Sequence, residues 1–152
     1  MTSDNATATL YRAIGEATGD AIVFADREGR IGLWNRGAEL IFGHAAADVI
    51  GRSLDIIIPE RLRPAHWAGY ARSIETGRTK YSDRVLTTRA VHKDGTKRYV
   101  DLSFGLVRDD GGAVLGAFAV GRDCTARYAA DIALKARVQE LEAKLAATTP
   151  ST

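Results

Sequence analysis

Apolar positions along the 152-residue chain change period twice, from helical spacing to alternation and back. Residues 6–18 (ATATLYRAIGEAT) set Leu10, Ile14 and Ala17 at helical spacing behind Asn5, a candidate N-cap, and Gly19 ends the run. The spacing predicts a short amphipathic cap helix within residues 1–17. Ala21–Ala25 and Ile31–Trp34 flank Asp26-Arg27-Glu28-Gly29, the pattern of a β-hairpin. Asn35 can cap a short helix over 37–42 that stops at Gly43. Residues 45–58 read as helical pieces broken at Gly51. Pro59 and Pro64 suit a first helical turn and Gly77 a C-terminal stop. This predicts a helix over 64–76 carrying His66, Tyr70, Ser73 and Ile74 towards one side.

After Gly77 the period becomes two. Residues 82–92, 97–107 and 113–122 are rich in β-branched and aromatic residues, and Lys93-Asp94-Gly95-Thr96 and Asp109-Asp110-Gly111-Gly112 separate them as hairpin turns. On the middle strand Val100, Leu102, Phe104 and Leu106 alternate with Asp101, Ser103 and Gly105, giving one apolar and one wetter face. Beyond Thr125 the chain turns Ala/Glu/Lys/Leu-rich. Leu134, Val138, Leu141 and Leu145 recur at coiled-coil spacing, which fits either a helix pair or a helix packing back on its own domain. Residues 147–152 read as a disordered polar tail. The sum is an α+β domain of five antiparallel strands with helices on one face, and a cavity between the curved sheet and those helices.

Composition adds limits. With 45% apolar and 26% charged residues the chain is one ordinary globular domain. The 21 Lys+Arg against 19 Asp+Glu are a slight excess, and Arg61, Arg63, Arg72 and Arg78 are spread among apolar residues, so a solvated helix face is favoured over a nucleic-acid partner. One cysteine, Cys124, excludes a disulfide framework and a zinc site built on several thiolates, and fits a reducing compartment. No membrane span or signal peptide is visible, which predicts a cytoplasmic protein. No nucleophile elbow, P-loop or His-Glu zinc pattern points to an enzyme.

The opening AIVFADREGRIGLWNRGAELIFGH and the closing GRDCTAR, with Asn35, Ala38, Phe42-Gly43, Gly51, Asp94-Gly95 and the Asp123/Thr125 junction in order, resemble a PAS sensory domain over residues 18–127. The resemblance implies a PAS fold that senses a ligand, cofactor or redox state and passes a sheet distortion into a signalling helix over 128–146. Within the family, IPERLRPAHWAGY is most similar to the haem-binding PAS domains of a bacterial oxygen-sensing phosphodiesterase and an oxygen-sensing histidine kinase. Arg63-Pro64-Ala65-His66 matches the phosphodiesterase segment outright.

That resemblance implies a haem b with His66 as proximal iron ligand and Arg72 near a propionate. Leu102 and Phe104 then fall over the distal face. A helix histidine facing an apolar sheet suits iron, and Ile56, Ile57, Leu102, Phe104 and Phe118 are expected to line the slot. Two departures stand out. Leu86 occupies the position of the relatives' oxygen-bonding arginine and Arg84 that of a distal methionine, which favours carbon monoxide over stable oxygen binding unless Arg84 swings in as donor. His44 and His92 are expected at the surface, and Trp67 at the pocket edge or towards a partner. Trp34 is expected in core packing. Light-sensing PAS domains carry a reactive cysteine in a segment that here is Glu60–Pro64 and has none, which leaves Cys124 as a small apolar filler.

Two functions follow: a haem-based sensor of a diatomic gas (oxygen, carbon monoxide or nitric oxide) or of redox state, or a cofactor-free PAS dimerisation module that binds at most some other small organic ligand. Either is expected to form a homodimer. The output is expected on a separate signalling partner or on effector residues of a longer protein.

Overall fold

The computed structural model describes residues 3–148. Helix α1 (Ser3–Ala17) leads into strands β1 (Ala21–Asp26) and β2 (Ile31–Trp34). Their turn is closed by Asp26, whose Oδ1 accepts from the amides of Glu28 and Arg30 at 3.0 and 2.8 Å, while Gly29 takes the left-handed conformation (φ 78°). Helices α2 (Arg36–Phe42), α3 (Ala46–Val49) and α4 (Arg63–Thr76) follow, with two short 3-10 turns before α4. Strands β3 (Leu86–Val91), β4 (Lys97–Arg108) and β5 (Val114–Asp123) complete the sheet, and α5 (Thr125–Thr148) ends the described chain. No helix among the described residues is long and apolar enough to cross a membrane.

Every strand pairing is antiparallel, in the order β2-β1-β5-β4-β3. Opposed residues share a face. Val23 opposes Ala119 and Ala119 opposes Phe104, while Leu102 opposes both Gly121 and Leu86, so these side chains lie on the inner face with the helices. Ala21, Val23, Ala25, Ile31 and Trp34 meet Ala38, Ile41 and Phe42 of α2, and Val49 and Leu54 beyond it, in the core. The Trp34 indole N–H donates to the His44 carbonyl at 3.0 Å and its ring lies 5.3 Å from Phe42, which places it in the core as the sequence indicates.

Asn35 joins the layers. It is the single buried polar side chain among the described residues. Its Oδ1 accepts from the amides of Ile22 at 2.7 Å and Ala38 at 2.9 Å, and its Nδ2 donates to the carbonyls of Gly15 at 2.6 Å and Asp20 at 3.0 Å. One side chain therefore caps α2 and ties it to α1 and β1.

Three elements depart from the sequence reading by more than a residue. α1 already runs from Ser3, so Asn5 lies inside it and is not its N-cap. β3 starts at Leu86, not at residue 82, because residues 80–83 turn and lay Tyr81 against Phe104 with ring centroids 6.2 Å apart, taking the chain off the sheet edge. α5 takes in residues 147 and 148, which were expected in the disordered tail; the rest of that tail, 149–152, lies outside the described residues. α5 is fastened only at its start. The Arg127 guanidinium donates to Asp101 Oδ2 at 2.6 Å and the Tyr128 ring stacks on Tyr99 at 3.7 Å, but the helix has no buried residue. A helix packed back on its own domain is thereby replaced by one that leaves it.

Replacing Asn35 with Ala leaves the Gly15 and Asp20 carbonyls and the Ile22 and Ala38 amides without this partner, at a cost of about 2–4 kcal/mol. Urea unfolding of the variant should show a lower midpoint with an unchanged slope.

Candidate functional site

Two polar anchors fix α4. The Tyr70 hydroxyl reaches the carbonyls of Asp26 and Ala25 at 2.6 and 2.9 Å, and burial pushes its pKa up to about 12, so it stays a donor throughout the physiological range. The Trp67 indole N–H donates to Asp55 Oδ1 at 2.8 Å, and its ring lies over Gly29, where an added Cβ would come within 2.2 Å. Trp67 is thus an intramolecular anchor and not a partner-facing residue. These contacts hold α4 by its Trp67/Tyr70 side against the β1–β2 end of the fold.

His66 adjoins both, and their own rings lie 5.5 Å apart. Its ring makes an edge contact with Trp67 at 4.7 Å and a tilted one with Tyr70 at 5.9 Å. The ring is half-buried, and its Nδ1 is buried with no hydrogen-bond partner. Desolvation lowers its pKa despite the nearby Asp55 carboxylate, so the imidazole is neutral at pH 7. A neutral ring with an unpartnered nitrogen is a competent metal ligand.

The expected apolar wall forms in part. Leu86 and Leu102 are opposed across β3 and β4, and Phe104 follows on the same face. Ile56, Ile57, Ile58, Trp67, Tyr70 and Leu102 pack against the core. The Ile57 carbonyl accepts from the Val91 amide at 2.9 Å, holding that segment beside β3. Ala117 and Ala119 are only half-buried although they lie on the inner face of a central strand, so the space between sheet and α4 is not filled by the chain.

Phe118 is a correction. It lies opposite Gly105 and Phe24, on the outer face, where a Cβ at Gly105 would fall 2.4 Å from its ring. It cannot line an inner slot. Register decides this: with Phe104 opposite Ala119, Phe118 has to point the other way. The glycine facing a bulky aromatic was the signal available in the sequence.

Arg84 is the second correction. It lies ahead of β3, exposed, 3.7 Å from Asp83, and shares no strand face with Leu86. Arg72 is exposed on a groove of about 430 Å³ between α4 and residues 78–81, also lined by Gly69, Ser73, Arg78, Lys80 and Tyr81. It leaves α4 about 120° away from His66, so the two mark different walls. A second groove of about 470 Å³ runs from Gly77 to Leu106 and Arg108. Both volumes fall in the range of small-molecule sites.

His44 and His92 are half-buried and not superficial. The His44 ring stands edge-on 6.5 Å from Trp34, its Nε2 is buried without a partner, and burial lowers its pKa. His92 packs on Gly43 and lies 2.9 Å from Asp94 Oδ1. Cys124 is buried, its Sγ 3.5 Å from Asp101 Oδ1, and burial pushes its thiol pKa up, in keeping with a filler. Asp101 escaped the sequence reading. It accepts from Thr87 of β3 at 2.6 Å as well as from Arg127 of α5, so one carboxylate joins the sheet edge to the terminal helix.

Of what a b-type haem would need, these residues offer a neutral nitrogen at His66 and apolar side chains at Leu86, Leu102 and Phe104; neither groove includes them.

The model of the PAS fold matches residues 16–129. The chain belongs to the PAS family. It is 30% identical over 139 residues to the sensor protein FixL of Bradyrhizobium diazoefficiens, covering 90% of this chain and 26% of that protein. It is 26% identical over 109 residues to the oxygen sensor protein DosP of Escherichia coli, covering 72% and 14% respectively. This PAS chain therefore spans about a quarter or less of those relatives. Among solved structures, a PAS domain from Colwellia psychrerythraea matches with TM-score 0.69 at 21% identity, covering 79% of this chain and 98% of that one. An RNA-binding light-oxygen-voltage receptor matches with TM-score 0.68 at 22% identity, covering 95% and 40%. Both bear on the fold alone.

The lowered His66 pKa has a definite sign in stability. Above the ordinary value of 6.5 the ring is neutral folded and unfolded and contributes nothing; below it the unfolded chain binds the proton first, so stability falls with acid by up to about 1.4 kcal/mol per pH unit. Urea midpoints measured between pH 7.5 and 5 should fall less steeply for His66→Gln than for the wild type. Parallel curves would contradict the buried neutral ring.

Proposed function

We propose that this PAS domain holds a b-type haem on His66, senses a diatomic gas or redox state, and relays the result through α5 to a signalling partner or effector region. The observation that carries the reading is the neutral, half-buried His66 with its unpartnered Nδ1, set in a segment that resembles haem-binding PAS domains. The alignment with an oxygen sensor supports it. Held by His66, a haem would supply an iron able to bind a small diatomic ligand.

This chain's own residues shape that chemistry. His66 offers nitrogen without competing protonation at pH 7. Leu86 and Leu102 would give the inner sheet face an apolar lining, and Leu86 has no hydrogen to donate to a bound gas. Arg84 is exposed beyond the strand, and the exposed Arg72 is placed for a carboxylate at a groove mouth. Leu86 and Leu102 are next in register to Thr87 and Asp101, so a shift of that pair moves the carboxylate that Arg127 grips. The domain is read as a sensor and not a catalyst, and as a homodimer. Its single free thiol supports a cytoplasmic setting.

Flavin is the competing cofactor, since light-oxygen-voltage receptors share the fold. Residues 60–64 carry no thiol, and Cys124 lies at the end of β5, bonded to Asp101. Adduct chemistry is thereby disfavoured.

Protein expressed with haem supply should show a strong Soret band that is lost in His66→Ala. A colourless protein that refuses added hemin, or a flavin spectrum, would overturn the reading. The reduced protein should take carbon monoxide and oxidise quickly in air, with Leu86→Arg slowing that oxidation; slow oxidation of the wild type would contradict the role given to Leu86.

A further inference from the structure

At Gly77 the chain turns back beside α4 and gathers cations that lie apart in the sequence. Gly77 takes the left-handed conformation (φ 65°), and residues 78–81 then supply one wall of the groove of about 430 Å³. The other wall is a single face of α4, at positions 65, 68, 69, 72, 73 and 76, where Ala68 and Gly69 keep the floor low. Arg72 stands on the helix wall, and Arg78 and Lys80 on the facing one, with a further hydroxyl from Ser73. No acidic residue among the described ones lines this groove, nor the adjoining one of about 470 Å³, which shares Arg78 and adds Arg108.

These cations differ from the exposed arginines elsewhere. Arg36 pairs with Glu39, Arg122 with Asp20 and Arg127 with Asp101, whereas among the described residues no carboxylate pairs with Arg72, Arg78 or Lys80. Three like charges around one concavity repel one another, and a bound anion relieves them. The carbonyl end of α4, which would repel an anion, is covered from within the chain. The Thr76 hydroxyl donates to the Arg72 carbonyl at 2.7 Å, the Gly77 amide to the Ser73 carbonyl at 2.9 Å, and Arg108 to the Gly77 carbonyl at 2.6 Å. Two guanidinium forks and an ammonium suit phosphate oxygens, and a diphosphate divides its charge over two groups as the groove divides its cations over two walls. Tyr81, 39% exposed, adds a ring against which an organic body can rest.

We infer that this groove binds the diphosphate group of a small molecule, clasped between Arg72 of α4 and Arg78 and Lys80 of the segment that follows. Neither groove includes His66, Leu86, Leu102 or Phe104, and Arg72 is the one residue shared with the cofactor reading, so the site survives the failure of that reading. A diphosphate held there fixes residues 78–81 ahead of β3. The Tyr81 ring, 6.2 Å from Phe104, then links an anion at the surface to the inner face of the sheet.

Calorimetric titration of the full chain at low salt with inorganic pyrophosphate, inorganic phosphate and ADP reads the site, with circular dichroism as a folding control. Pyrophosphate should bind about tenfold more tightly than phosphate, and Arg72→Gln, Arg78→Gln and Lys80→Gln should each weaken it about fivefold. Arg61→Gln removes an exposed cation outside the groove and should leave binding unchanged. ADP held more tightly than pyrophosphate would make the source a nucleotide, and equal or weaker affinity a free diphosphate; both support the site. Absence of pyrophosphate binding, equal losses in Arg61→Gln and Arg78→Gln, or succinate bound as tightly as pyrophosphate would overturn the inference. Displacement of pyrophosphate by hemin would overturn it too, by giving the cations to haem propionates. The cofactor reading is decided separately, by the Soret experiment.

Discussion

The fold turns on the four hydrogen bonds of one buried amide. Asn35 stands where β2 ends and α2 begins, and each of its atoms answers a backbone group that the chain reversal would otherwise leave stranded: two amides on one side, two carbonyls on the other. Serine or aspartate can cap a helix but cannot both donate twice and accept twice. The residue that starts a helix here also sets the distance between α1, β1 and α2. Everything packed on β1 inherits that distance, including the carbonyls of Ala25 and Asp26 that hold Tyr70 and hence α4.

β5 shows how space is left beneath α4. Ala117, Ala119 and Gly121 point inward while Phe118 and Val120 point outward, so the bulk of this strand lies on the side away from the helices. α4 is tied by Tyr70 and Trp67 at the β1–β2 flank, by Arg63 at its start and by Arg108 at its Gly77 cap, and it meets a sheet whose central strand offers small side chains. The core is built instead by α2 against β1 and β2. Sensor space and stabilising core are thus separated within one sheet.

The set of strands, the Asn35 and Gly77 caps and the helix carrying His66 were legible because each depends on local chemistry: turn glycines, an Asn cap, alternation and helical spacing; the strand order was not, since β1 pairs with β5 from the far end of the domain. Placement was legible where an element keeps its period: His66 falls on α4, and Leu86, Leu102 and Phe104 share one face of β3 and β4. It was not legible where the answer lies in register. Nothing within residues 113–122 says which side of β5 faces inward, and Phe118 was expected to line the slot. Arg84 was placed on a strand that Tyr81 diverts before it begins. Asp101 was read as the wet side of an amphipathic strand, since only the fold brings Thr87 and Arg127 to its carboxylate.

The attachment of α5 has a mechanical consequence. Arg127 and Tyr128 clamp the first turn to neighbouring positions of β4, and the described residues beyond Tyr128 are all exposed. The helix is therefore a lever with its fulcrum at the sheet. At 1.5 Å per residue its 24 residues reach about 36 Å, so a tilt of about 10° at the clamp swings the far end by ~6 Å. A displacement at Thr87 and Asp101 too small to disturb the core is amplified, by length alone, into one large enough to change what the far ends can touch.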